Sequence, residues 1–116
     1  MRGINKVTLI GNAGKEPEFK TLNDGTPVAK FSLATTDHFT LKSGENASKT
    51  EWHTIIAWRN LAGLVNKYVR KGSLLYIEGK LSYRQYEDKE GRKTAVTEIV
   101  ADNILLLDKK VSATDE

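Results

Sequence analysis

Thr50-Glu51-Trp52-His53-Thr54-Ile55-Ile56-Ala57-Trp58 is the stretch on which the reading of this chain turns. β-Branched and aromatic residues fill it, no Gly or Pro interrupts it, and its length suits a sheet strand. Successive side chains of a strand point to opposite faces, so Trp52, Thr54, Ile56 and Trp58 share one face and His53, Ile55 and Ala57 the other. The second set is compact enough to look into a small core. The first carries both tryptophans of the chain. Large aromatics ordinarily bury area, but a solvent-facing pair is also a platform for a flat ligand. This stretch alone leaves both readings open.

Upstream, Asn5 to Gly11 reads as a first strand, with Val7 and Leu9 facing one way and Lys6, Thr8 and Ile10 the other. Gly11-Asn12-Ala13-Gly14 breaks it. Gly14-Lys15 lacks the Ser/Thr and the glycine spacing of a phosphate loop, so it reads as a turn or a close backbone approach. Glu18 to Leu22 is a short extended piece, and Asn23-Asp24-Gly25 supplies the positive φ of a hairpin turn. Val28 to Thr35 follows as a strand with Ala29, Phe31 and Leu33 in an apolar row. The polar segment Phe39 to Lys49, containing Gly44 and Lys42, reads as a long mobile loop with Phe39 at its base.

Downstream, Leu61, Leu64, Val65, Tyr68 and Val69 recur at helical spacing, with Asn60 as N-cap and Lys67, Arg70, Lys71 and Gly72 at the C-terminal end. Leu74 to Tyr86 is a long strand. Leu75, Ile77 and Leu81 take one side and Tyr76, Glu78, Lys80, Ser82, Arg84 and Tyr86 the other, unless Gly79 marks a bulge that switches faces. Asp88-Lys89-Glu90-Gly91 turns the chain and Lys93 to Val100 returns it as a projecting hairpin. Ile104 to Leu107 reads as a last short strand. Short strands, Gly-rich turns and no regular βαβ alternation argue against a parallel sheet. An all-β, five-stranded Greek-key barrel with one helix between strands three and four fits this order, which is the OB-fold arrangement; a sandwich is the competing architecture.

The chain has 116 residues, enough for one core. The division expected is a domain over residues 1–109 and a frayed polar tail over 110–116. Net charge is +3, a mild bias compatible with a polyanion. There are no cysteines and two histidines, His38 and His53. With no clustered carboxylates or metal-ligand spacing, neither an enzyme nor a metal or other cofactor is expected. No apolar run is long enough to span a bilayer, and Met-Arg-Gly-Ile-Asn-Lys has no apolar h-region, so a cytoplasmic location and no membrane partner are expected.

Asn5-Lys6-Val7-Thr8-Leu9-Ile10-Gly11-Asn12, Ser32-Leu33-Ala34-Thr35-Thr36, Thr50-Glu51-Trp52-His53, Tyr68-Val69-Arg70-Lys71-Gly72-Ser73 and Tyr76-Ile77-Glu78-Gly79-Lys80-Leu81 together resemble, in order and spacing, the blocks of bacterial-type single-stranded DNA-binding proteins. The resemblance runs over residues 2 to 107. It implies sequence-tolerant binding of single strands during replication, recombination and repair. The family stacks bases on four aromatic positions, occupied here by Phe39, Trp52, Trp58 and Tyr86. Its backbone-contacting cations match Arg2, Lys6, Lys42, Lys71 and Arg84, and His53 matches a position near its subunit interface. It also implies a homotetramer and a nucleoid-associated bacterial location. Family members commonly continue into a linker with an acidic, hydrophobic tip, whereas this chain runs to Ser112-Ala113-Thr114-Asp115-Glu116. Tail-mediated recruitment of replication and repair partners is therefore not carried over.

The stacking chemistry stands on its own physical ground. Every base has a π-face, so aromatic platforms bind without reading sequence, and cations neutralise phosphates. Trp52 and Trp58 share a face, as do Arg84 and Tyr86, and Thr54 between the indoles is small enough to let a base lie flat. A protein-interaction module on the same barrel is the alternative from another class.

Overall fold

The computed structural model describes residues 2–108. Its elements are β1 (Val7–Ala13), β2 (Glu18–Thr21), β3 (Pro27–Thr40), β4 (Asn46–Trp58), α1 (Asn60–Tyr68), β5 (Leu74–Glu87) and β6 (Lys93–Leu106). They are ordered β1-β5-β6-β4-β3-β2, and a further pairing of β1 with β3 closes the sheet on itself. That closure is short, Asn12 opposite Ala34 and Ala13 opposite Leu33. It leaves β1, β3, β4, β5 and β6 as a barrel, with β2 paired to β3 outside it. Only β4 and β6 run parallel, over Ile55↔Ile99 and Ile56↔Val100. This is the expected OB-fold barrel, with α1 between its third and fourth strands.

Alternation fills the interior as the apolar rows predict. Ala29, Phe31 and Leu33 of β3, Ile55 and Ala57 of β4, and Leu75 and Ile77 of β5 are all buried. Ile99, Ala101 and Ile104 of β6 complete that wall, and α1 plugs one end with Ala62 and Val65. Ala62 is small enough for close helix–sheet approach, and the predicted stripe omitted it. Leu61 and Leu64 are only partly buried against the core, and Tyr68 faces solvent. The helix ends at Tyr68, and Val69 turns extended, so Tyr68 has no sheet left to cover it.

A β-bulge lies opposite Gly79: Glu78 pairs with Asn103 and Gly79 with Ala101, so the extra residue is Asp102 on β6, and the alternation of β5 runs through Gly79 without switching faces. A Cβ there would collide with the carbonyl oxygen of Val100, so only glycine lets the two strands approach this closely. Beyond the bulge the hairpin projects past the barrel. Leu81, expected on the inner side, is therefore partly exposed.

Two further expectations are corrected. Phe39 to Lys49 is not a long loop. β3 and β4 stay paired from Val28↔Trp58 to Thr40↔Asn46, leaving a tight turn from Leu41 to Glu45. Polar side chains hide this hairpin from a hydrophobicity pattern, while the backbone pairing that builds it needs no apolar residue. Likewise Ile104 to Leu107 is no separate strand, since β6 runs unbroken to Leu106. The tail expected over 110–116 lies outside the described residues.

The helix start also departs from the prediction. Its N-cap is Arg59, not Asn60, with φ 55 and ψ −121 and no side-chain cap. It is the one non-glycine residue with positive φ among the described residues. Such a conformation costs an L-residue on the order of 1–3 kcal/mol. At the other end the Arg70 guanidinium donates to the carbonyls of Asn66, Lys67 and Val69, satisfying acceptors that the last helical turn leaves open.

The tip of the β5–β6 hairpin is organised by one carboxylate. Asp88 accepts the backbone N–H groups of Arg92 and Glu90, each at 2.9 Å, and the Arg92 guanidinium at 3.0 Å. The Arg92 backbone bond is the largest of the effects that hold its carboxyl below the ordinary carboxylate value. A depressed folded pKa stabilises the tip above the unfolded value near 3.8 and ceases to do so as pH falls through the lower folded value. We expect amide exchange at Glu90 and Arg92, taken relative to an unstructured peptide at the same pH, to accelerate only as pH falls from 3.8 through that lower value. In Asp88→Ala it should already be fast at neutral pH.

Candidate nucleic-acid interface

The outer face of β4 is a row of unequal exposures. Trp52 is 62% exposed and Trp58 37%, whereas Ile56 between them is 6% exposed. Cross-strand register sets Trp52 opposite Ala34, Thr54 opposite Ser32, Ile56 opposite Lys30 and Trp58 opposite Val28. The two indoles thus stand about 20 Å apart along one strand. Near Trp52 the neighbouring side chains are small, Thr54, Ser32 and Ala34, so its ring stands above the sheet, whereas Ile56, Lys30 and Val28 flank Trp58.

Trp52 owes its seat to a glycine. A Cβ on Gly14 would strike the six-membered ring of the Trp52 indole. The Gly14 backbone is anchored there by its N–H to the Ser32 carbonyl at 2.9 Å. The stretch Gly11 to Gly14, read from the sequence as a break or a close approach, is therefore part of the platform's foundation. One edge of the Trp52 ring rests on backbone while the remainder faces solvent.

Trp58 lines a groove of about 580 Å³. Its other walls include Phe19, Lys20 and Leu22 on one side and Ser82, Arg84, Glu98 and Val100 on the other. Lys30 and Ile56 also line it, which is why Ile56 is buried although it shares the tryptophans' face. Phe19, Lys20 and Glu98 were not among the predicted site residues. Phe19 and Lys20 belong to β2, whose place beside the groove no local pattern reveals. Glu98 is signalled only by register, since it pairs with Ser82 and so shares a face with Arg84.

Glu98 is 5% exposed. The Arg84 guanidinium holds it with two hydrogen bonds, Nε to Oε1 at 3.2 Å and an Nη to Oε2 at 2.6 Å. A buried carboxylate without such a partner would be costly. Arg84 therefore contributes a neutralised fork to the groove rather than a free positive charge. Lys20, Lys30 and Lys80 are exposed and make no ion pair within 4.0 Å among the described residues. Lys20 and Lys30 line the groove with Trp58.

The remaining predicted residues are dispersed. Tyr86 is about half exposed and follows Arg84 on the same face of the projecting hairpin, opposite Thr94. Phe39 is also about half exposed, but unbroken register sets it on the face continuing from Phe31 and Leu33, not on that of the tryptophans. Lys42 is exposed in the β3–β4 turn, Arg2 is exposed ahead of β1, and Lys71 is exposed after α1, its backbone N–H donating to Glu16. Lys6 lies 3.7 Å from Glu78, which also accepts the Tyr76 hydroxyl at 2.7 Å. None of these four cations lines the groove. His53 is half-buried, its Nε2 bonded to the Thr35 hydroxyl at 2.9 Å. No group of three His, Asp or Glu among the described residues could hold a metal ion, and no helix among them is long and apolar enough to cross a membrane.

A closed OB barrel with a ring-studded, cation-bordered outer face defines a class of proteins built to hold flat, anionic, extended ligands. Within that class, residues 4–107 match the model of the single-strand binding protein family. The chain is 48% identical over 109 residues to a single-stranded DNA-binding protein of Bacteroides thetaiotaomicron, covering 92% of this chain and 68% of that one. It is 43% identical to single-stranded DNA-binding protein 1 of Xylella fastidiosa, covering 95% of this chain and 82% of that one. Among solved structures it superposes, at a TM-score of 0.83 and 37% identity, on the Plasmodium falciparum SSB in complex with ssDNA, covering 93% of this chain and 98% of that one. The chain belongs to the single-strand binding protein family.

The Gly14 contact makes a prediction. Gly14→Ala must displace the Trp52 ring or the β1 backbone, at a cost of about 1–3 kcal/mol. In a Trp58→Phe background, Trp52 emission should shift and the melting temperature fall. An unchanged spectrum and melt would show that the ring does not rest there.

Proposed function

We propose that this protein binds single-stranded DNA with little regard to sequence, coating and protecting strands exposed in replication, recombination and repair. The observation that carries this reading is the pair of exposed indoles on one strand of a closed barrel, with Lys20 and Lys30 bordering the second of them. Phosphates are drawn to the cations, and bases then stack on Trp52 and Trp58. Each stacked base contributes about 1–3 kcal/mol. Tyr86 extends the same outer face. Phe39, next to the turn at the tip of the long β3–β4 hairpin, meets a strand that wraps around the barrel's edge. Arg2, Lys6, Lys42 and Lys71 act as peripheral phosphate contacts along that path. Arg84 acts chiefly by holding Glu98 and can still present its remaining N–H groups. The binding unit is residues 1–109, and its place of action is the bacterial nucleoid.

We further propose a homotetramer. Supporting it is an apolar row across three strands of the barrel's outside: Ile10 pairs with Tyr76, and Tyr76 with Leu105. Ile10, Leu105 and the nearby Leu107 are each at least 40% exposed. Isolated apolar residues on a surface need no explanation, but a contiguous row marks an interaction site. His53 is the interface residue that the family pattern suggests.

Three measurements test these readings. Tryptophan emission should be strongly quenched by oligo-dT and barely by duplex, and Trp52→Ala with Trp58→Ala, which leaves no tryptophan and is read by the anisotropy of labelled oligo-dT, should weaken binding by at least tenfold. Equal affinity for duplex, or an undiminished double variant, would sink the stacking mechanism. Sedimentation should report a tetramer that Leu105→Glu converts to smaller species. A monomeric wild type would refute the assembly and leave the binding test untouched.

A further inference from the structure

Arg59 holds a backbone conformation that glycine adopts freely and an arginine does not. Strain of this kind persists only where the surroundings enforce it, and it is a reason to ask what the side chain does. The enforcing contacts are both backbone: the Arg59 N–H donates to the Pro27 carbonyl at 2.9 Å, and its carbonyl accepts the Gly63 N–H at 3.2 Å. Glycine would keep both. The fold thus requires the conformation at position 59 but not the guanidinium.

What the side chain adds is charge next to a platform. Arg59 directly follows Trp58, is exposed, and makes no ion pair within 4.0 Å among the described residues. Its charge reaches the β2–β3 turn. The Asp24 carboxyl there is held below its usual value chiefly by hydrogen bonds from Thr26, and Arg59 adds to that effect. Lys20 and Leu22, just before this turn, line the groove with Trp58. Arg84, across the groove, is already engaged by Glu98.

We propose that Arg59, which follows Trp58 at the strained β4–α1 junction and stands outside the groove's lining, is a phosphate-contacting residue at the groove's margin, its guanidinium meeting a phosphate of the strand whose base stacks on that ring. This rests on the single-strand reading above and deepens it.

The test compares wild type, Arg59→Gly and Arg59→Lys in oligo-dT titrations over a salt series, together with thermal melts. Arg59→Gly should melt at or above wild type, yet bind several-fold more weakly at low salt. Its plot of log K against log salt should be shallower by about 0.7, the value of one phosphate contact on a single strand. Arg59→Lys should keep the wild-type slope. Wild-type affinity and slope in Arg59→Gly would overturn the proposal. So would a clearly lowered melt, because the side chain would then serve the fold. The Trp52→Ala, Trp58→Ala variant separates the two levels. If it also binds like wild type, the stacking reading itself has failed; if it alone loses binding, only the role of Arg59 has.

Discussion

The two-residue period of β4 within a closed barrel is the constraint from which the site follows. Closure through Asn12↔Ala34 and Ala13↔Leu33 fixes which face of every strand is interior. Once Ile55 and Ala57 are committed to the core, Trp52 and Trp58 have nowhere to go but outward. A one-residue slip would bury both indoles and expose the core row. The binding platform is thus the reverse side of the packing that stabilises the protein, and neither can change register alone.

Charge is arranged less simply than the composition suggests. Glu98 is buried on the groove's wall and must be paired, which occupies Arg84. The field that a polyanion meets is therefore left to exposed residues such as Lys20 and Lys30, whose attraction is screened by salt. Such a surface suits strands of any sequence, because it offers flat rings and diffuse positive charge rather than donors and acceptors aimed at base edges.

Glycines and strain do the local fitting. Gly79 lets β5 and β6 close together at the bulge, and Gly14 lets an indole lie against backbone. At the β4–α1 junction the chain instead tolerates strain at Arg59. All three positions adjoin strands that build the outer face. The projecting hairpins, by contrast, are held by backbone ladders and by the Asp88 turn.

By itself the amino-acid order carried the inward rows Ala29-Phe31-Leu33 and Ile55-Ala57, the helix slot, the irregularity at Gly79 and the shared face of Trp52 and Trp58, while the barrel still competed with a sandwich and the indoles' exposure stayed open. The features it carried are periodic or local signals that a linear pattern can hold. Only tertiary structure decided that Phe39 to Lys49 is mostly paired strand, that Phe39 lies off the tryptophans' face, that β2 walls the groove, that Glu98 claims Arg84, and that Trp52 rests on Gly14. Each of these joins residues distant in sequence, often through the backbone alone. No hydrophobic period records such a contact, because it exists only when closure brings the two segments together.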